Sequence, residues 1–164
     1  IKQGDTILAQ VSLAYDASFL WILAEVTDPS PLRNELSDMT NAFKTGDAID
    51  LCIGPRTPDR AVPIMGDIRV LLVPGPTKSK VIAYRQVQIG KTRGSKQLYQ
   101  SPVRKVAFDD VYEMPEAKVV FKLTDKGYLC EAIVPLAQLD LAKATTGLRV
   151  RGDLGVLWGN DVGR

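Results

Sequence analysis

Histidine is absent from all 164 residues of the chain. That absence excludes a Ser-His-Asp triad, a histidine general base and every histidine-containing zinc site. Cysteine is almost as scarce: Cys52 and Cys130 are the only two, too few to complete a structural zinc site. Both sit in apolar, strand-like runs. Two buried free thiols acting as small hydrophobes are the ordinary expectation, and a bridge between neighbouring strands is the alternative that would suit a secreted protein. No apolar run approaches the roughly 18–20 residues that span a bilayer. The net charge of +2 is too small to argue for a nucleic-acid partner or an acidic membrane surface. Asp and Glu pairs exist, but no spacing singles out an acid/base couple. The sequence leans away from an enzyme.

What remains is an ordinary soluble composition, 45% apolar and 24% charged, in a length that suits one domain with one sizeable core. The reading is a single domain over residues 1–164. The chain opens on Ile1 rather than Met, so it is expected to be a fragment of a larger chain or a processed form.

Strand patterns dominate. Residues 19–26 alternate and are rich in β-branched and aromatic side chains, and the turn Tyr15-Asp-Ala-Ser18 precedes them. A polar loop carrying Pro29 and Pro31 follows, because proline cannot donate to a ladder. Beyond Gly46-Asp47, the apolar residues Ile49, Leu51 and Ile53 fall on one face. Residues 67–73 and 80–85 form a second pair around Pro74-Gly75-Pro76, and residues 117–124 and 128–134 a third around Asp125-Lys-Gly127. Residues 86–115 read as an elaborated excursion of short strands or loops. The only plausible helix is a short one over residues 136–144. Many short strands with regular turns and almost no helix predict an all-β fold, an antiparallel β-sandwich of jelly-roll or immunoglobulin-like kind.

Four motifs in order resemble the family 9 carbohydrate-binding modules and the related DOMON-like sandwiches. Leu13-Ala-Tyr-Asp-Ala-Ser-Phe-Leu-Trp-Ile-Leu-Ala-Glu-Val-Thr-Asp-Pro29 is similar to the family's strand-turn-strand ending in Asp-Pro. Asn41-Ala-Phe-Lys-Thr-Gly-Asp-Ala-Ile-Asp-Leu51 resembles the segment that carries one ligand-stacking aromatic. Gly127-Tyr-Leu-Cys-Glu-Ala-Ile-Val-Pro135 is similar to the Gly-Tyr-x-x-Glu-Ala-x-Ile pattern, and Val156-Leu-Trp-Gly-Asn-Asp161 takes the place of the second stacking tryptophan. The chain departs from the sugar-binding members at Phe43, where they carry Trp.

The resemblance implies a non-catalytic module that stacks a sugar between Phe43 and Trp158, with Arg69, Glu131 and Asn160 as polar contacts. Arg69 lies in an otherwise apolar strand, so its charge must reach solvent or a partner, and Glu131 is a strand carboxylate that could pair with it. The resemblance also implies calcium, for which Asp28, Asn34, Asp38 and Asp47 are the candidate ligands around the long loop. It further implies an extracellular, cell-surface or periplasmic setting beside other domains of the same or a host protein, with a carbohydrate as partner. Two other classes stand beside it. One is a haem b-binding DOMON-like electron-transfer domain, which without histidine would need Met39, Met65 or Met114 as a ligand together with a lysine or another Met. The other is a structural or partner-binding sandwich of a larger extracellular protein. The tripeptide Arg151-Gly152-Asp153 leads into a strand and is read as a chance occurrence.

Overall fold

The computed structural model describes residues 1–57, 60–103, 105–143 and 146–159. Twelve strands form among them: β1 (Lys2–Gln3), β2 (Thr6–Ile7), β3 (Ala9–Tyr15), β4 (Phe19–Thr27), β5 (Ala48–Pro55), β6 (Ile68–Val73), β7 (Lys80–Arg85), β8 (Ser95–Gln100), β9 (Lys105–Glu113), β10 (Lys118–Thr124), β11 (Gly127–Pro135) and β12 (Val150–Leu157). Every pairing is antiparallel. A four-stranded sheet in the order β10-β11-β4-β3 faces a six-stranded sheet in the order β12-β5-β6-β7-β9-β8, and β1-β2 is a separate small ladder. The all-β antiparallel sandwich expected from the patterning is the fold.

Alternation explains the layers. Ile22, Ala24 and Val26 of β4 and Cys130, Ala132 and Val134 of β11 point inward, against Ile49 and Leu51 of β5, Val70 and Leu72 of β6, and Val81 and Ala83 of β7. Burying each of the larger side chains contributes about 1.5–3 kcal/mol. The intervening residues of the six-stranded sheet are apolar as well. Ala48, Leu71, Val73, Ile82, Tyr84, Phe108 and Val111 form a second core on its outer face, with Ala42 packed among them. A sheet apolar on both faces must be covered on both. The outer cover includes the 3-10 helix Met39–Lys44, whose N-cap Asp38 accepts from Thr40 N.

One expected element shrinks and another region is resolved. The helix over residues 136–144 shrinks to the 3-10 turn Leu136–Leu139, because Asp140 turns left-handed (φ 60°) and its N–H closes back on Leu136 O. Of the short strands or loops expected over residues 86–115, strands form: β8 and β9 widen the six-stranded sheet there. Two carboxylates of β9 fasten the connecting loop, with Asp110 accepting from Arg93 N (2.9 Å) and Gly94 N (2.7 Å) and Asp109 accepting from Gln88 N (3.1 Å). Among the described residues no helix is long and apolar enough to cross a membrane.

The thiols are free and on different sheets. Cys130 is buried in the sandwich, and burial pushes its pKa up to about 12. Cys52 is exposed on the outer face of β5, which corrects the expectation that both are buried.

Candidate functional site

A cleft of about 910 Å³ crosses the outer face of the six-stranded sheet. All six strands contribute to its lining, through Arg151–Asp153 of β12, Cys52 of β5, Arg69 of β6, Tyr84 of β7, Phe108 of β9 and Tyr99 of β8. One wall is Phe43 and Lys44 from the 3-10 helix; another is the 60–63 stretch.

Parity puts Arg69 in this cleft. In β6, Ile68, Val70 and Leu72 face the sandwich, so residue 69 must face out. Asp50 in β5 has the same parity, and the β5–β6 register brings the two side chains together. Arg69 Nε donates to both Asp50 oxygens at 3.0 Å, and Nη2 donates to Oδ2 at 2.6 Å. Burial works against the charge on Arg69, but the Asp50 carboxylate more than offsets it, so the guanidinium pKa lies above the ordinary arginine value. The guanidinium also lies 4.9 Å from the Phe43 ring centroid and 5.9 Å from that of Tyr84. A second fork, Arg60 on Asp67, closes the neighbouring wall. Asp50, Arg60 and Asp67 were not anticipated from the sequence. For Asp50 there was a signal: a carboxylate between Ile49 and Leu51 must share the outward face with any strand cation opposite it.

Phe43 belongs to a closed ring of four aromatics joined edge to face. Its centroid lies 5.7 Å from Tyr84 and 5.2 Å from Tyr99, and Phe108 touches both at 5.5 and 5.7 Å. Tyr84 Oη donates to Met39 O (2.5 Å) and Tyr99 Oη to Thr40 O, so the quartet holds the 3-10 helix on the sheet. Lys44 Nζ stands 5.2 Å from the Phe43 centroid and 5.1 Å from that of Tyr99.

The remaining predicted contacts do not join this group. Trp158 continues the inward set Leu154 and Val156 and packs against the sandwich core, whereas Phe43 packs against the outer core. The two rings lie against opposite faces of the six-stranded sheet and form no clamp. Glu131 is exposed on β11, opposite Leu23 of β4 in the four-stranded sheet, so the partner of Arg69 is Asp50 rather than Glu131. Asn160 lies outside the described residues.

The four calcium candidates do not fit a calcium ion as a set, because their oxygens already hold the loop. Asn34 Nδ2 donates to Ala42 O (2.9 Å) and Asp47 O (3.0 Å), while its Oδ1 accepts from Leu36 N and Thr45 Oγ1. Asp47 Oδ2 accepts from Arg33 N (2.8 Å) and Oδ1 from Gly159 N (2.7 Å). Asp38 caps the 3-10 helix. Asp28 Oδ1 accepts from Ser30 N and Oγ, and Asp28 Oδ2 is the one oxygen of the four side chains left without a partner among the described residues. Calcium needs six to eight oxygens. Among the described residues no cluster of three or more His, Cys, Asp or Glu is placed to hold a metal. Haem ligation fares no better: Met114 is buried in the sandwich core, Met39 packs against the outer core and Met65 is exposed. None of the three lines the cleft.

The Asp38 cap carries a pH signature. Hydrogen bonds from the Thr40 hydroxyl and amide, and from Asn41, hold its carboxyl below the usual value despite some burial. A depressed native pKa means stability that is present above the unfolded value, about 3.9, and lost as pH falls through the native one. Asp38→Ala is therefore expected to cost about 1 kcal/mol at neutral pH. In urea titrations at a series of pH values, the gap between Asp38→Ala and the parent should close as the solution is acidified. A gap that is constant across that range would show that the cap bond is not the source.

No family model, no curated protein and no solved structure matches the chain.

Proposed function

We propose that the chain is a non-catalytic carbohydrate-binding module whose site is the cleft on the outer face of the six-stranded sheet. The observation that carries this reading is the placement of Arg69 and Asp50, in a bidentate fork, beside the ring surfaces of Phe43 and Tyr99. A sugar ring offers an apolar C–H face and an equatorial belt of hydroxyls. It calls for a flat apolar wall next to fixed charged donors and acceptors, since hydrogen bonds to charged groups are the stronger kind. The pairing holds both charged groups in place before any ligand arrives, which lowers the entropy cost of binding. Such a module would serve an exported host protein.

Affinity electrophoresis through gels cast with single polysaccharides tests the reading directly. Retention on at least one polysaccharide is expected. Arg69→Gln should weaken it about tenfold to a hundredfold, the effect of removing charge-assisted hydrogen bonds. Trp158→Phe should leave it unchanged. If Trp158→Phe abolishes retention while Arg69→Gln does not, the site is not this cleft.

A second reading, a partner-binding sandwich, is favoured by a different observation. Trp21, Leu23 and Val120 on the outward side of the four-stranded sheet are 43%, 43% and 61% exposed, and exposed apolar side chains gathered on one face mark interaction surfaces. Failure to be retained on any polysaccharide would favour that reading.

A further inference from the structure

The charge of the cleft is one-sided although that of the chain is not. Lys44, Arg60, Arg69, Lys105 and Arg151 stand among its described lining residues against the carboxylates of Asp67 and Asp153. Asp50 behind Arg69 adds a third negative charge, which leaves an excess of two cations. Two of the five are neutralised in place, Arg69 by Asp50 and Arg60 by Asp67. The other three are exposed, and none forms an ion pair among the described residues. Lys44 rests on the Phe43 and Tyr99 rings, and the field of Arg151 helps to hold Asp67 ionised. Lys105 belongs to β9 and Arg151 to β12, and β5, β6 and β7 lie between those strands. Four inter-strand steps of about 4.8 Å separate them by roughly 19 Å across the sheet, and the strand registers add a further offset along it.

We propose that the cleft selects an acidic oligosaccharide, one carrying carboxylate or sulfate groups on successive sugar units. The inference rests on the carbohydrate reading and names the ligand class of the same site. A neutral sugar gives the free cations at the two ends nothing to neutralise. A single acidic monosaccharide cannot reach both of them. A chain with repeated negative charges can lie along the sheet and meet Arg151 at one end, the Arg69 fork in the middle and Lys105 at the other. A guanidinium matches a carboxylate or sulfate with two parallel hydrogen bonds, which suits Arg151 to an end contact.

Isothermal titration of the whole chain with five probes provides the test: tetragalacturonate, monomeric galacturonate, a chondroitin sulfate tetrasaccharide, neutral cellotetraose, and polyglutamate as an acidic chain without sugar. At least one of the two acidic tetrasaccharides should bind about tenfold or more tightly than cellotetraose, and monomeric galacturonate should bind far more weakly than its tetramer. Binding of tetragalacturonate shows that carboxylates suffice, whereas binding of the chondroitin sulfate tetrasaccharide alone, which carries both groups, shows that sulfate is needed. The preference should shrink between 0.1 and 1 M salt, where the screening length falls from about 10 to 3 Å. Replacing both end cations, by Lys105→Ala with Arg151→Ala, should remove roughly tenfold of the acidic affinity. Lys122→Ala, on the opposite sheet, should remove none. Both end cations are exposed, so loss of binding can be checked against an unchanged melting curve. Cellotetraose binding as tightly as the better of the two acidic probes would overturn this inference and leave the carbohydrate reading standing. Polyglutamate binding as tightly as the acidic glycans would also overturn it, since the cleft would then read charge alone. If no glycan binds, the carbohydrate reading and this inference fall together.

Discussion

Tyr84→Ala should lower the unfolding free energy by about 3–5 kcal/mol, the range for deleting a large buried aromatic. For a chain of this length that corresponds to a fall in Tm on the order of 10 °C. Tyr84 is 1% exposed and sits in the outer core, where its ring meets both Phe43 and Phe108. Its hydroxyl donates to Met39 O at the start of the 3-10 helix. The substitution therefore opens a cavity and releases the cover from the sheet in one step. Tyr84→Phe separates the two effects: it keeps the ring, loses the hydrogen bond and should cost about 1 kcal/mol. Hydrogen exchange gives the sharper check. Amides near residues 39–45 should lose protection in Tyr84→Ala well before those of β4 and β11, which belong to the other core. Equal loss in both would mean that the outer core does not open as a unit.

Asp47→Ala comes next, at about 2–4 kcal/mol. Asp47 is fully buried and reaches two distant stretches of chain, accepting from Arg33 N with one oxygen and Gly159 N with the other. Alanine leaves both N–H groups without that acceptor, and each lost partner costs about 1–3 kcal/mol when no water replaces it. Removal of the charge returns part of that cost. Burial, aided by the nearby negative charge of Asp28, raises the Asp47 pKa even though the two N–H donors and Arg33 pull it down. The sign of the pH dependence follows. An acid with a raised native pKa contributes most below its unfolded value, about 3.9, and progressively less as pH rises through the native one. The gap between parent and Asp47→Ala in urea midpoint should thus narrow from acid towards neutral pH, opposite to the trend for Asp38→Ala. A gap that widens over that interval would mean the ionised form is the one the fold prefers.

The strands were readable because their signal is local. Alternation alone marks β4, β5, β10 and β11, and the Asp125-Lys-Gly127 turn joins the last two as an antiparallel pair. The 3-10 helix at residues 39–44 was missed because so short an element has no periodicity to read; its one sign was Asp38 placed to cap Thr40. The helix expected at residues 136–144 is cut short, since the i, i+3 spacing of Leu136 and Leu139 fits a helix that the left-handed Asp140 interrupts. Arg69 was recognised as needing a partner because a charge in an apolar strand is a local anomaly. Naming the partner required knowing which strands are neighbours, and that is not local: Glu131 is equally anomalous but sits on the other sheet. Trp158 shows the reverse case. Its parity with Leu154 and Val156 already placed it inward, and strand parity outranks a motif match when the two disagree. The polar residues read as calcium ligands illustrate how a loop's own backbone amides claim the side-chain oxygens that a metal would need.

The placement of the two thiols has a practical consequence for spectroscopy. Cys52 opens onto the cleft floor between Asp50 and Gly54, and Cys130 is sealed between the sheets. A maleimide dye or spin label added to the folded chain should attach at Cys52 alone, so the natural sequence supplies a single reporter inside the site without any mutagenesis. Attachment will be slow near neutrality, because the packing around the sulfur and then the Asp50 charge push its pKa up to about 11, and the thiolate is the reactive form. A ligand lying along the cleft should shield the sulfur further, turning the labelling rate itself into a binding assay.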